Sequence, residues 1–247
     1  MNQNIIRLFL FLFAVVAMSA CKKKTDHIDI SDFYYPADRL TEHGLVYEYH
    51  AVNNDSLPPE YWYFRSLQTD TALYLTGTYY DEFFNVRQFF SSEIVSNGVL
   101  LIDQSISIVD STGQLIQHHA EVIYNNVFPF EVRDSGGIFL MQLKWVFADN
   151  PPVTTTLTRN RQYSGKRSYI VEGENVEVAV LTLREEVDDQ NNGHWTREYE
   201  GVEYYAKNIG LVYYKKEIDE NFILEYELRK RYPMSELEKK FKQQLEE

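Results

Sequence analysis

Between Phe222 and Arg229 apolar and charged side chains alternate. Phe222, Leu224, Tyr226 and Leu228 fall on one face; Glu225, Glu227 and Arg229 fall on the other. A period of two gives a strand one dry face and one wet face, and a chain made of such units must fold as sheet. The same texture recurs upstream. Leu45, Tyr47 and Tyr49 alternate with Glu48 and His50, and Tyr61, Tyr63 and Arg65 alternate with Trp62 and Phe64. The runs 71–80 and 85–95 are rich in β-branched and aromatic residues, which suit a pleated, half-buried surface. Turn signals separate the runs: Asn97-Gly98, a two-residue hairpin signal, then Ser111-Thr112-Gly113, Asp134-Ser135-Gly136-Gly137, Asp149-Asn150-Pro151-Pro152 and the polar stretch Asp188 to Gly193. About a dozen strands on short turns predict an all-β fold, a large bent antiparallel meander closed as a barrel or left as a half-barrel.

The two ends of the chain differ from this pattern. Pro233 stops the last strand, Ser235 with Glu238 makes a capping box, and Met234, Leu237, Phe241 and Leu245 recur at helical spacing. They predict one C-terminal amphipathic helix over 235–246, lying on the sheet or closing a barrel end. Near the other end, Asp26, Asp29, Ser31, Asp32, Pro36 and Asp38 dilute the apolar residues. Residues 21–43 read as a tether, and 44–247 as a single β-rich domain. A tether of about 22 residues reaches roughly 70 Å when fully extended. Phe33, Tyr34 and Tyr35 are the side chains with which it could instead dock on the domain.

Cys21 is the one cysteine of the chain, so no internal disulfide forms and the core alone must hold the domain. Aromatics make up 15% of the residues, with 19 Tyr and 15 Phe, and supply such a core. Before Cys21 stand a single cation, Arg7, an apolar run from Leu8 to Met18, and Ser19-Ala20. That run is too short to span a bilayer. The arrangement resembles the signal of bacterial envelope lipoproteins. The resemblance implies that residues 1–20 are a removed signal peptide and that Cys21 carries the lipid that attaches the protein to a membrane. Lys22, Lys23 and Lys24 would add roughly 1 kcal/mol each on an anionic surface. Lys22 in place of an acidic residue points to the outer membrane, and the basic start to its periplasmic side. The stretch from Tyr204 to Val212, with Asn208 and Gly210 placed for a tight turn, resembles a hairpin of uncharacterised envelope lipoproteins. It implies a bent sheet like that of the lipoprotein-localisation carriers, whose concave face holds acyl chains.

Charge and motifs narrow the function further. Against 37 Asp+Glu stand 24 Lys+Arg, a formal net charge of −13, which disfavours nucleic acid as a partner. No nucleophile elbow, P-loop or His-x-x-x-His occurs, and no cofactor or metal is expected. Asp188, Gln190, Asn192 and Gly193 imitate the start of a calcium loop, but Tyr199 holds the twelfth place, where a bidentate carboxylate is needed. A hairpin tip is the simpler expectation there, with Glu185, Glu186, Asp188 and Asp189 as exposed charges.

Aromatics on long strands and a membrane anchor together point to a non-enzymatic lipoprotein whose curved sheet binds an apolar or amphipathic ligand. The expected lining is Tyr61, Trp62, Tyr63, Phe64, Phe89, Phe90, Trp145, Phe147 and Trp195. The alternatives are a scaffold subunit that docks an envelope protein through its acidic surface or C-terminal helix, and a carbohydrate-active enzyme that uses paired acids.

Overall fold

The computed structural model describes residues 27–52, 54–110, 112–133, 137–147 and 152–246. The expected signal peptide and Cys21 lie outside the described residues. Short connections make neighbours in sequence neighbours in the sheet. β2 (Leu45–Ala51), β3 (Glu60–Gln68), β4 (Leu73–Tyr80), β5 (Val86–Val95) and β6 (Gly98–Val109) pair antiparallel in that order. β7 (Leu115–His119) and β8 (Glu121–Pro129) form one return path that breaks at Ala120. β7 stays on β6, while β8 pairs with β6 at its last residues and with β10 (Ile138–Phe147) at its first. β11 (Val153–Val171), β12 (Glu174–Gln190), β13 (His194–Ala206), β14 (Gly210–Glu217) and β15 (Ile223–Pro233) continue the meander. β15 then pairs with β2 and β5 with β6, so a ring of 12 antiparallel strands closes. The fold is the barrel form of the expected meander, with β7 outside the ring.

Local chemistry explains the turns. Val95 pairs with Gly98, so the β5–β6 hairpin turns on Ser96 and Asn97 rather than on Asn97-Gly98. Gly98 is already in the strand, where a Cβ would stand 2.7 Å from the Phe128 carbonyl oxygen. Between β11 and β12, Glu172 and Gly173 both have positive φ (50° and 86°), as a two-residue hairpin turn of mirror type requires. The stretch around Asn192 is a hairpin tip between Gln190 and His194.

Outward faces carry ion pairs such as Arg184–Glu198 and Lys215–Glu217, and the buried apolar side chains gather mainly in the barrel interior. An eight-stranded barrel is just wide enough for its own side chains to fill; a ring of 12 strands leaves room to spare. At one end that room is taken by the N-terminal segment. β1 (His27–Asp29) pairs with β9 (Glu131–Arg133), and two short 3-10 turns follow, Ser31–Phe33 and Ala37–Leu40. The Ile30 amide donates to the Phe130 carbonyl (2.8 Å) and the Asn208 amide to the Asp32 carbonyl (2.8 Å). Ile30, Phe33, Tyr34, Ala37 and Leu40 are buried. The expected tether at 21–43 is thus corrected over its described part. From Ile30 the chain is a plug, because its spaced apolar residues find the open barrel end.

Plug and barrel meet at the β13–β14 turn. Asn208 and Gly210 have positive φ (59° and 99°), and a Cβ on Gly210 would lie 2.5 Å from Tyr35 Cδ1. Gly210→Ala is expected to cost about 1–3 kcal/mol, from backbone strain and the displaced ring. A urea midpoint unchanged from that of the parent chain would show that plug and turn adjust independently.

The C-terminal helix, α1 (Met234–Glu246), lies on the outside of the barrel. Leu237 and Phe241 are buried with Val46, Tyr61 and Tyr232, and Phe84 stacks on Phe241 at 4.9 Å. Lys240 Nζ donates to the Tyr61 hydroxyl (2.8 Å) and to Glu48 Oε1 (3.3 Å). Glu48 also accepts from the Tyr232 hydroxyl (2.6 Å). Burial opposes its charge, but His50, Tyr232 and Lys240 outweigh this and hold the carboxyl below its ordinary value. Leu237 and Phe241 of the α1 stripe are therefore satisfied within the chain.

Candidate functional site

The strands place two unlike half-walls around a cavity of about 310 Å³ inside the barrel. Tyr34 and Tyr35 of the plug form its floor. From β3 to β10 the wall is mostly apolar, with Trp62, Phe64, Tyr79, Phe90, Leu101, Val127 and Met141, interrupted by Glu60, Gln88, Ser92 and Gln104. Trp62 stacks on Tyr79 (5.3 Å) and lies 6.0 Å from Phe64, and Phe64 lies 6.2 Å from Phe90. Gly77 lies across from both Phe64 and Phe90 on the neighbouring strands. A side chain there would collide with the Phe90 ring, so glycine makes the space into which that ring folds.

From β11 to β14 the wall is charged. Arg161 donates through Nε (2.7 Å) and Nη2 (3.1 Å) to the two oxygens of Glu203, which also accepts from the Tyr205 hydroxyl (3.1 Å). Both partners are buried. Burial opposes the charge on Glu203, but the guanidinium wins and lowers its pKa. The same bridge keeps Arg161 charged against burial, with its pKa raised. One rung along the barrel, Arg159 donates to Glu185 (2.7 Å) and Lys216 donates to the other carboxylate oxygen. Burial again opposes, and Arg159 and Lys216 together hold the Glu185 carboxyl down at about 2. Two-cation pairing of this kind offsets the desolvation of a carboxylate.

Glu60 is the exception. Its Oε1 accepts from the Tyr214 hydroxyl (2.8 Å) and its Oε2 from Trp62 Nε1 (3.3 Å). Burial pushes its carboxyl up despite these donors and the Lys216 charge. Among the described residues it has no ion-pair partner.

No protein-family model matches the chain, and no curated protein matches it. Two solved structures are similar in fold. One is a candidate lipoprotein from Parabacteroides distasonis, at a TM-score of 0.48 and 10% identity, covering 81% of this chain and 98% of that one. The other is a candidate exported protein with a YmcC-like fold from Bacteroides fragilis, at a TM-score of 0.37 and 10% identity, covering 81% of this chain and 99% of that one.

Of the nine aromatics expected as lining, the cavity wall holds three, Trp62, Phe64 and Phe90. Trp145 and Phe147 point into the barrel but pack in a neighbouring cluster with Leu101, Met141 and Leu143. Tyr61 and Tyr63 are corrected: in the strand they alternate with the lining residues, and they pack outside with α1. Phe89 is corrected for the same reason, since it precedes Phe90 and takes the outer face. Trp195 is corrected too. It sits near the β12–β13 tip, 64% exposed, under the Arg197 guanidinium (4.5 Å). Glu185, expected at an exposed hairpin end, is inside. The signal was present in the period-two series Leu181, Leu183, Glu185, Val187. Sequence reasoning missed Arg159, Arg161, Glu203, Tyr214 and Lys216, whose partners lie on other strands.

Proposed function

We propose that the chain is a non-enzymatic envelope lipoprotein, attached to the membrane through Cys21, that holds one small apolar or amphipathic molecule in the barrel lumen. The cavity itself carries this reading. It is walled by aromatics on one side and by paired charges on the other, the composition of a site for a molecule with an apolar body and a polar end. Its volume is near the lower bound of ordinary ligand sites, about 300 Å³, so one small molecule is the cargo rather than a two-chain lipid. The charged wall favours binding over hydrolysis. Glycoside hydrolysis uses two carboxyl groups facing the substrate, whereas Glu185 and Glu203 are tied to Arg159, Lys216 and Arg161, and of the inward carboxyls Glu60 alone is left without a paired cation among the described residues. The reading places the protein on the outer membrane facing the periplasm, from Lys22 next to the lipid site.

Native mass spectrometry tests the reading on the chain from Lys22, made in a bacterial periplasm. This chain keeps the plug; a start at Asp38 would remove it. A bound small mass that denaturation releases is expected. A bare chain after gentle purification, and still bare after incubation with a periplasmic extract, would overturn the assignment of the lumen as a binding site.

A further inference from the structure

The charged wall does not present its two signs equally to the lumen. The Arg159 and Lys216 side chains are 25% and 19% exposed, while Glu185, the carboxylate both of them hold, is 4% exposed. Arg159, Arg161 and Lys216 line the cavity; Glu185 does not. The cations stand in front and their counter-ion is behind them. Each keeps donors free for a second partner. A guanidinium has five N–H groups and an ammonium three. Arg159 directs Nε and Nη2 at Glu185, and Lys216 makes a single bond to it. The remaining lumen carboxyls do not reverse the balance. Glu203 is bound by Arg161 through two bonds, and Glu60, within reach of the Lys216 charge, is held by the Tyr214 and Trp62 donors with its carboxyl pushed up by burial.

We infer that the ligand is a small amphipathic anion, with its head on Arg159 and Lys216 and its apolar chain against Phe64, Phe90 and Met141. This rests on the reading of the lumen as a binding site and adds the sign of the ligand's head and its size. A charge-assisted hydrogen bond is about twice as strong as a neutral one, so the head decides affinity in a lumen whose other wall is mostly apolar. The chain as a whole is acidic, at −13, so the attraction is local to these side chains. A cavity of about 310 Å³ is near the lower bound of ordinary ligand sites, which suits a single-chain carboxylate such as octanoate as the probe.

Titration calorimetry of the chain from Lys22 with octanoate, octanol and octylammonium separates the possibilities. This chain contains every described element. Octanoate is expected to bind at least about tenfold tighter than octanol, a gap of about 1.4 kcal/mol, and octylammonium weakest. Lys216→Met is expected to remove most of the preference for octanoate over octanol, with Glu185 still paired to Arg159. Equal binding of the three probes, or tighter binding of octylammonium, would overturn the anion assignment while leaving the lumen a binding site. Binding of none of them, alongside a bare chain in native mass spectrometry, would remove the reading beneath it. If Lys216→Met does not fold, the three-probe series on the unaltered chain decides.

Discussion

Replacing Arg161 with Met is expected to lower stability by about 3–5 kcal/mol, because Glu203 is then left buried without its cation. Adding Glu203→Leu should recover most of that loss, short of about 1 kcal/mol for the hydrogen bond from Tyr205. Urea unfolding of the two single variants and the double variant gives the coupling directly. The pH dependence of the pair has a definite sign. The Glu203 carboxyl is lowered in the folded state, so its contribution is complete above the ordinary carboxylate range and is lost as pH falls through the folded value. In Arg161→Met burial is left to raise the Glu203 carboxyl instead, so the stability gap between parent and variant should be widest near neutral pH and narrow as pH falls. Additive single-variant effects, with no recovery in the double, would mean that the bridge is not a unit.

A chain beginning at Leu45 is expected to lose cooperative unfolding altogether. It lacks Ile30, Phe33, Tyr34 and Leu40, all buried. At about 1.5–3 kcal/mol for each large side chain, their sum approaches the whole stability of an ordinary domain, about 5–15 kcal/mol. The break also reaches beyond the deleted residues, because Tyr35 stands within 5.6 Å of both Tyr47 and Phe64 and the floor of the cavity goes with the plug. Leu40→Ala is the milder test, at about 2–5 kcal/mol. A Leu45 start that melts sharply near the parent temperature, as followed by circular dichroism, would reduce the segment to a surface strap.

The strands and their order were legible because a half-buried strand writes its period into its own residues. Leu224 to Leu228 needed no partner to be read, and they lie in β15 with Leu228 and Tyr226 buried. The plug was legible only as the alternative to a tether, through Phe33, Tyr34 and Tyr35, which do dock on the barrel. Residues 26–38 hold their apolar side chains at no regular spacing among aspartates, and only the width of a 12-strand ring makes a place for them. The lumen was half legible. Trp62 and Phe64 could be named, but the choice between them and Tyr61 and Tyr63 depended on which face closed inward, and an unbroken aromatic run does not show that. Charged residues read as solvent-facing by default. Arg161 with Glu203 and Lys216 with Glu185 escape that default through partners 42 and 31 residues away, a separation that leaves no mark on local sequence.

The plug also sets the posture of the whole molecule. Between Cys21, the proposed lipid site, and His27 stand Lys22 to Asp26, at most roughly 20 Å of chain against the roughly 70 Å of a free tether. Anchored as proposed, the barrel would be moored by its stopper end. The β11–β12 turn lies at the stopper end with the β13–β14 turn, and the β12–β13 tip around Asn192 marks the opposite end of the barrel.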